Sequence, residues 1–98
     1  MTIDIKRNET NITLMVSGRL DTITAPALDK AINEDASDVT ALVIDMKELE
    51  YISSAGLRVL LGAHKKMQKV GCMKLVNVGE NVMEVLEMTG FADILEIE

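Results

Sequence analysis

The chain has 98 residues, 48% of them hydrophobic, and a net charge of −6 from ten Lys and Arg against sixteen Asp and Glu. That length holds one core, and that apolar content excludes disorder. The acidity disfavours a nucleic-acid partner, two aromatic residues give no platform for stacking bases, and one Cys with one His exclude a disulfide framework and a zinc or iron–sulfur site.

The opening MTIDIKRNET has neither the apolar core nor the small-residue cleavage site of a secretory leader. Instead, Thr2-Ile3-Asp4-Ile5-Lys6 alternates apolar and polar residues and predicts a half-buried strand. Asn8-Glu9-Thr10-Asn11 is a turn cluster. Beyond it Ile12, Leu14 and Val16 alternate with Thr13, Met15 and Ser17, a second strand that closes at Gly18. Two such strands across a short polar loop predict an antiparallel hairpin.

A polar stretch, Arg19 to Thr24, then leads to Ala25-Pro26. Thr22 or Thr24 can cap a helix that tolerates Pro26 in its first turn, where N–H groups lack helical acceptors. Leu28, Ala31 and Ile32 give that helix its apolar face, with Asp29, Lys30 and Glu34 outside. Thr40-Ala41-Leu42-Val43-Ile44 predicts a strand covered on both faces or central in a sheet. Its apolar run, Ala41–Ile44, is the longest in the chain, against roughly 20 residues for a membrane span. No membrane association is expected, and the lone Cys72 fits a cytoplasmic protein.

Asp45 to Glu50 reads as a polar connector into Tyr51-Ile52-Ser53-Ser54-Ala55-Gly56-Leu57. From Ser54 the period becomes helical: Leu57, Leu60, Leu61, His64 and Met67 share a stripe, and Arg58, Lys65, Lys66 and Lys69 lie largely off it. Gly71 stops this helix and Cys72 to Val78 predicts a strand. Glu80 to Met88 predicts a short helix with Val82, Val85 and Leu86 inward, ended by Gly90 with positive φ. Phe91 to Ile97 predicts a last edge strand. The expected fold is one α/β domain over residues 1–98, with a mixed sheet in the order β-β-α-β-α-β-α-β. Helical crossovers require parallel pairing after the hairpin.

The sharpest local chemistry is a serine hydroxyl at the start of the longest helix. Ser53 or Ser54 can serve simply as its cap, contributing about 1 kcal/mol. The same position suits a phosphate, whose roughly −1.5 to −2 charges would face free N–H groups and the positive helix end. Gly56, without a side chain, would let another surface approach closely. A serine hydrolase fits poorly. His64 lies ten residues after Ser54, about 15 Å along a helix, whereas a general base works at about 3 Å. Ile52 also stands where a Gly-x-Ser-x-Gly elbow needs glycine. Asp21, Thr22 and Thr24 serve as caps and turn formers or as an exposed partner-contacting loop. The lysines read as a solvated face and the seven methionines as core filling. No glycine-rich phosphate loop or other cofactor signature is present.

In combination, Gly18-Arg19-Leu20-Asp21-x-x-Thr24-Ala25-Pro26-x-Leu28, then Leu42-Val43-Ile44-Asp45, then Tyr51-Ile52-Ser53-Ser54-Ala55-Gly56-Leu57 resembles the STAS domain of bacterial anti-sigma factor antagonists. The resemblance covers essentially the whole chain. It implies a partner switch rather than an enzyme, with no cofactor. The unphosphorylated protein binds an anti-sigma factor serine/threonine kinase and so frees the sigma factor. The kinase phosphorylates one serine and the complex separates; a metal-dependent serine phosphatase restores the binding form. The family motif, Asp-Ser-(Ser/Thr)-Gly-Leu, places the accepting serine at Ser54, with Ser53 at the aspartate position and Ala55 at the second hydroxyl position. The resemblance further implies partner contacts at Asp21, Thr22, Thr24, Ser53, Ala55, Gly56 and Arg58, and a monomer when free. A STAS adaptor in another signalling assembly, acting on a sensor, phosphatase or transporter, would use the same surface.

Overall fold

In the computed structural model, which covers residues 1–98, β1 (Thr2–Asn8) and β2 (Asn11–Leu20) form the expected antiparallel hairpin. Only Glu9 and Thr10 lie between them, and Glu9 takes φ +57° to turn the chain. β3 (Ala41–Ile52) and β4 (Cys72–Val76) then add in parallel, giving the sheet order β1-β2-β3-β4. Three helices connect and cover the strands: α1 (Ala25–Lys30), α2 (Ser54–Gln68) and α3 (Glu80–Met88). The first runs on into a wider π turn over Ala31–Asp35. Leu28, Ala31 and Ile32 are buried, as the spacing predicts, and so is Ala25 at the start of α1.

One sheet face makes the core. Ile12, Leu14 and Val16 of β2 lie beside Leu42 and Ile44 of β3 and Met73 and Leu75 of β4, all buried. Leu57, Leu60, Ala63 and Met67 of α2, with Val82 and Leu86 of α3, close over them. No polar or charged side chain is buried. Residues of the opposite face, such as Met15, Val43 and Asp45, are only half-buried. β3 is therefore central in the sheet, and not covered on both faces.

Two expectations need correction. Asp45 to Glu50 is strand, not connector, because β3 contains two bulges. Its register with β2 shifts between Met15↔Asp45 and Ser17↔Glu48, and again between Gly18↔Leu49 and Arg19↔Tyr51. Each inserts an unmatched residue, so the simple alternation fails while pairing continues to Ile52. The last edge strand is also not formed. Gly90, at φ +81°, reverses the chain into a 3-10 turn over Phe91–Asp93. That turn uses the backbone N–H groups of Asp93, Ile94 and Leu95 locally, and Leu95 enters the core. What remains is one parallel bridge, Leu75↔Ile97, held by Leu75 N–H to the Glu96 carbonyl at 2.9 Å and Glu98 N–H to the Leu75 carbonyl at 2.8 Å. The order is β-β-α-β-α-β-α.

Candidate functional site

The carboxyl ends of β2 and β3 deliver two helix starts side by side, tied by Ser53 N–H to the Leu20 carbonyl at 2.8 Å. On the β2 side the chain forms a self-bonded loop. Asp21 Oδ1 accepts from the N–H groups of Ile23 at 3.0 Å and Thr24 at 3.1 Å. The Thr24 hydroxyl accepts from Asp21 N–H at 2.9 Å and donates to the Arg19 carbonyl at 2.7 Å, with Asp21 Oδ1 also near at 3.1 Å. Thr24 occupies the N-cap position of α1, yet its side chain makes no cap bond to the helix. It braces the preceding loop instead. These N–H donors, led by that of Thr24, hold the Asp21 carboxyl below its ordinary pKa, and Arg19 at 3.9 Å adds to the effect. Arg19 in turn lies over the Tyr51 ring, 4.2 Å from its centroid.

On the β3 side Ser53 is the N-cap of α2, in extended backbone, and its hydroxyl accepts from Gly56 N–H at 3.4 Å. Ser54 is the first helical residue and is exposed; the only side-chain bond at Ser54 is the one its carbonyl accepts from Arg58 Nε at 3.5 Å. Its hydroxyl has no partner within the chain. Gly56 is buried rather than presented outward. A Cβ there would stand 2.7 Å from Leu20 Cγ and 3.0 Å from Ile52 Cγ1. The close approach that Gly56 permits is therefore internal, between the first turn of α2 and the end of β2, and not with another surface.

A groove of about 420 Å³ runs between the two helix starts. Thr22, Pro26 and Asp29 line one side, with Ala55, Arg58 and Val59 on the other. Arg58 takes part in no ion pair. Ile23, 87% exposed, stands in the same loop as Thr22. The structure thus gathers Asp21, Thr22, Thr24, Ser53, Ser54, Ala55 and Arg58 around one end of the sheet, with Gly56 beneath them. Sequence reasoning missed Ile23, Pro26, Asp29 and Val59. An isoleucine between two threonines in a polar loop was a usable signal for the first. The others become neighbours only when α1 and α2 are known to lie together. His64 belongs elsewhere, beside Gln68, Cys72 and Glu96. It faces no serine of this site, so no histidine lies beside the Ser54 hydroxyl.

A hairpin followed by parallel strands, with the two helix starts at their carboxyl ends, defines a STAS domain, and the STAS domain family model matches residues 2–98. Among known proteins, the anti-sigma-B factor antagonist of Bacillus subtilis (strain 168) is 33% identical over 96 residues, spanning 97% of this chain and 88% of its own. The chain belongs to the STAS-domain family of anti-sigma factor antagonists. A crystal structure of an anti-sigma factor antagonist from Mycobacterium paratuberculosis superimposes with a TM-score of 0.88 at 30% identity, covering 98% of this chain and 83% of that one. The anti-sigma factor antagonist SpoIIAA in its unphosphorylated form shares the fold, with a TM-score of 0.84 at 19% identity over 99% of this chain and 88% of that one.

Proposed function

We propose that this chain is a docking protein switched by phosphorylation. In its unmodified form it binds an anti-sigma factor through the groove between α1 and α2 and the Asp21–Thr24 loop. The anti-sigma factor is a serine/threonine kinase that transfers phosphate to Ser54, and a metal-dependent serine phosphatase removes it. The chain itself catalyses nothing, needs no cofactor and works in the cytoplasm. No helix is long and apolar enough to cross a membrane.

The observation that carries this reading is the state of the Ser54 hydroxyl: exposed, unpartnered, and at the first turn of a 15-residue helix beside a groove. Ser53 is the nearest competing acceptor, but its hydroxyl is engaged as the cap. A phosphate on Ser54 meets free N–H groups and the positive helix end, so the fold tolerates it. Within a docked interface the same phosphate brings charge and bulk that must be paired or desolvated at a cost. A tenfold loss of affinity requires only about 1.4 kcal/mol.

The test is incubation with the cognate kinase and ATP, followed by peptide mapping and affinity measurement. Label is expected on Ser54 and absent from Ser54→Ala, and Ser54→Asp should bind the kinase at least about tenfold more weakly than wild type. Labelling elsewhere, or undiminished labelling of Ser54→Ala, would falsify the assignment.

A further inference from the structure

The two edges of the sheet are not alike. Along β4 the C-terminal segment covers part of the edge through the Leu75↔Ile97 bridge. β1 pairs with β2 alone and leaves its other side open. We propose that this open edge pairs with the same edge of a second copy of the chain, antiparallel, about a two-fold axis at Ile5.

The register follows from the hairpin. Asn8 and Asn11 flank a two-residue loop and so form a hydrogen-bonded pair. Alternation then turns the backbone groups of Lys6, Asp4 and Thr2 toward β2, and those of Ile3, Ile5 and Arg7 outward. A second β1 strand must match outward groups to outward groups. With the axis at Ile5, Ile5 faces its own copy and Ile3 faces Arg7. Asp4 then stands opposite Lys6 of the second copy, and Lys6 opposite Asp4, at the closely spaced non-hydrogen-bonded positions. The two neighbouring permitted registers oppose Asp4 to Asp4 or Lys6 to Lys6.

Charges on an edge normally prevent strand pairing. Here they have opposite signs two positions apart, and so exclude every neighbouring register while favouring one. Neither Asp4 nor Lys6 has an ion-pair partner within the chain. Ile5 is 44% exposed and gains cover from its copy. Arg7 holds Asp38 at 2.7 Å, so its side chain stays out of the contact while its backbone takes part. The contact is isologous and closes after two copies. The axis lies level with Leu14, opposite Ile5, whereas the helix starts lie beyond Ser17 and Leu20. Both docking faces stay open in the dimer, so its existence does not depend on phosphorylation. The expectation of a free monomer is the alternative that sedimentation equilibrium decides for or against.

One strand pair is a small interface, below about 1,200 Å², and belongs with transient contacts. Sedimentation equilibrium from about 10 μM to 1 mM covers that affinity range. Wild type should pass from monomer toward dimer across it. Asp4→Lys and Lys6→Asp should each weaken self-association at least tenfold. An equimolar mixture of these two variants should associate, and so should the double variant, because both restore opposite charges across the axis. Both side chains are exposed and unpaired, so the thermal midpoint and circular dichroism of each variant should match wild type. Wild type that stays monomeric throughout overturns the proposal. So does a charge reversal that leaves dimerisation intact, or a mixture of folded variants that fails to associate.

Discussion

The two helix starts at the carboxyl end of the sheet use their hydroxyls in opposite ways. At α1, Thr24 accepts one bond and donates another, and the Asp21 carboxylate beside it gathers two backbone N–H groups. The Asp21 and Thr24 side chains there serve the loop, while the exposed Thr22 hydroxyl makes no bond. At α2, Ser53 makes a single long cap bond and the Ser54 hydroxyl makes none. Neighbouring loops of similar composition therefore divide into a brace and a free acceptor. The role proposed for Ser54 rests on a hydroxyl with no structural duty at the first turn of a long helix, and not on residue type alone.

The contrast can be broken first from beneath. Gly56→Val would drive a branched side chain into Leu20 and Ile52, where a Cβ already comes within 2.7 Å and 3.0 Å. Overpacking of this kind costs about 1–3 kcal/mol. Urea unfolding should give a lower midpoint with an unchanged slope, and the first turn of α2 should lose amide protection.

Next come the hydroxyls themselves. Thr24→Val keeps the shape but strands Asp21 N–H and the Arg19 carbonyl, at a cost of about 1–2 kcal/mol. Ser54→Ala removes a group with no partner and should stay within about 0.5 kcal/mol of wild type. Equal losses in the two variants would show that the distinction between brace and free acceptor is false.

A smaller effect is expected at the cap. Ser53→Ala should lose about 0.5–1 kcal/mol, toward the low end because the cap bond is 3.4 Å long. Ser53→Asp restores the acid of the family motif and should gain about 0.3–1 kcal/mol from the helix dipole at low salt. A loss of stability in Ser53→Asp at low salt would mean that α2 does not present its positive end there.

The smallest effect concerns pH. The folded Asp21 carboxyl titrates below its ordinary value, chiefly through bonds from Thr24. Its contribution is therefore present above the ordinary carboxylate range and fades as pH falls through the lowered value. Asp21→Asn should lack this acid-side component, so its midpoint should fall less than that of wild type between pH 5 and pH 2, in about the range where carboxylates titrate. Identical acid profiles would count against the loop geometry.

The sequence made some of this legible and hid the rest for identifiable reasons. α2 was plain because its stripe has a clean helical period and Ser53 precedes it as a capping residue. The hairpin was plain because both strands alternate. The second half of β3 was hidden because its bulges break the period that a strand is recognised by. The last strand was misread because apolar residues after Gly90 serve equally well in a tight turn packed on the core. At the site, Asp21, Thr24, Ser53 and Ser54 stood out by type and spacing. Which of their hydroxyls was occupied did not, because that depends on the angle at which each strand enters its helix.

The bulges of β3 also decide where this strand tolerates a change of length. Its buried residues step by two from Leu42 through Ile44 to Met46, then by three to Leu49 and again by three to Ile52. Uninterrupted alternation from Met46 would turn Glu48 and Glu50 inward and Leu49 out. Deleting Lys47 would remove the first bulge, because Met46, Glu48 and Leu49 would then alternate in, out and in while Ser17↔Glu48 and Gly18↔Leu49 are kept. Deleting Val43, outside the bulges, would instead be a phase error that turns core side chains out. Substitution or deletion of Lys47, an exposed position, should therefore be accepted, while deletion of Val43 should be rejected. A library scan of this segment would separate the two.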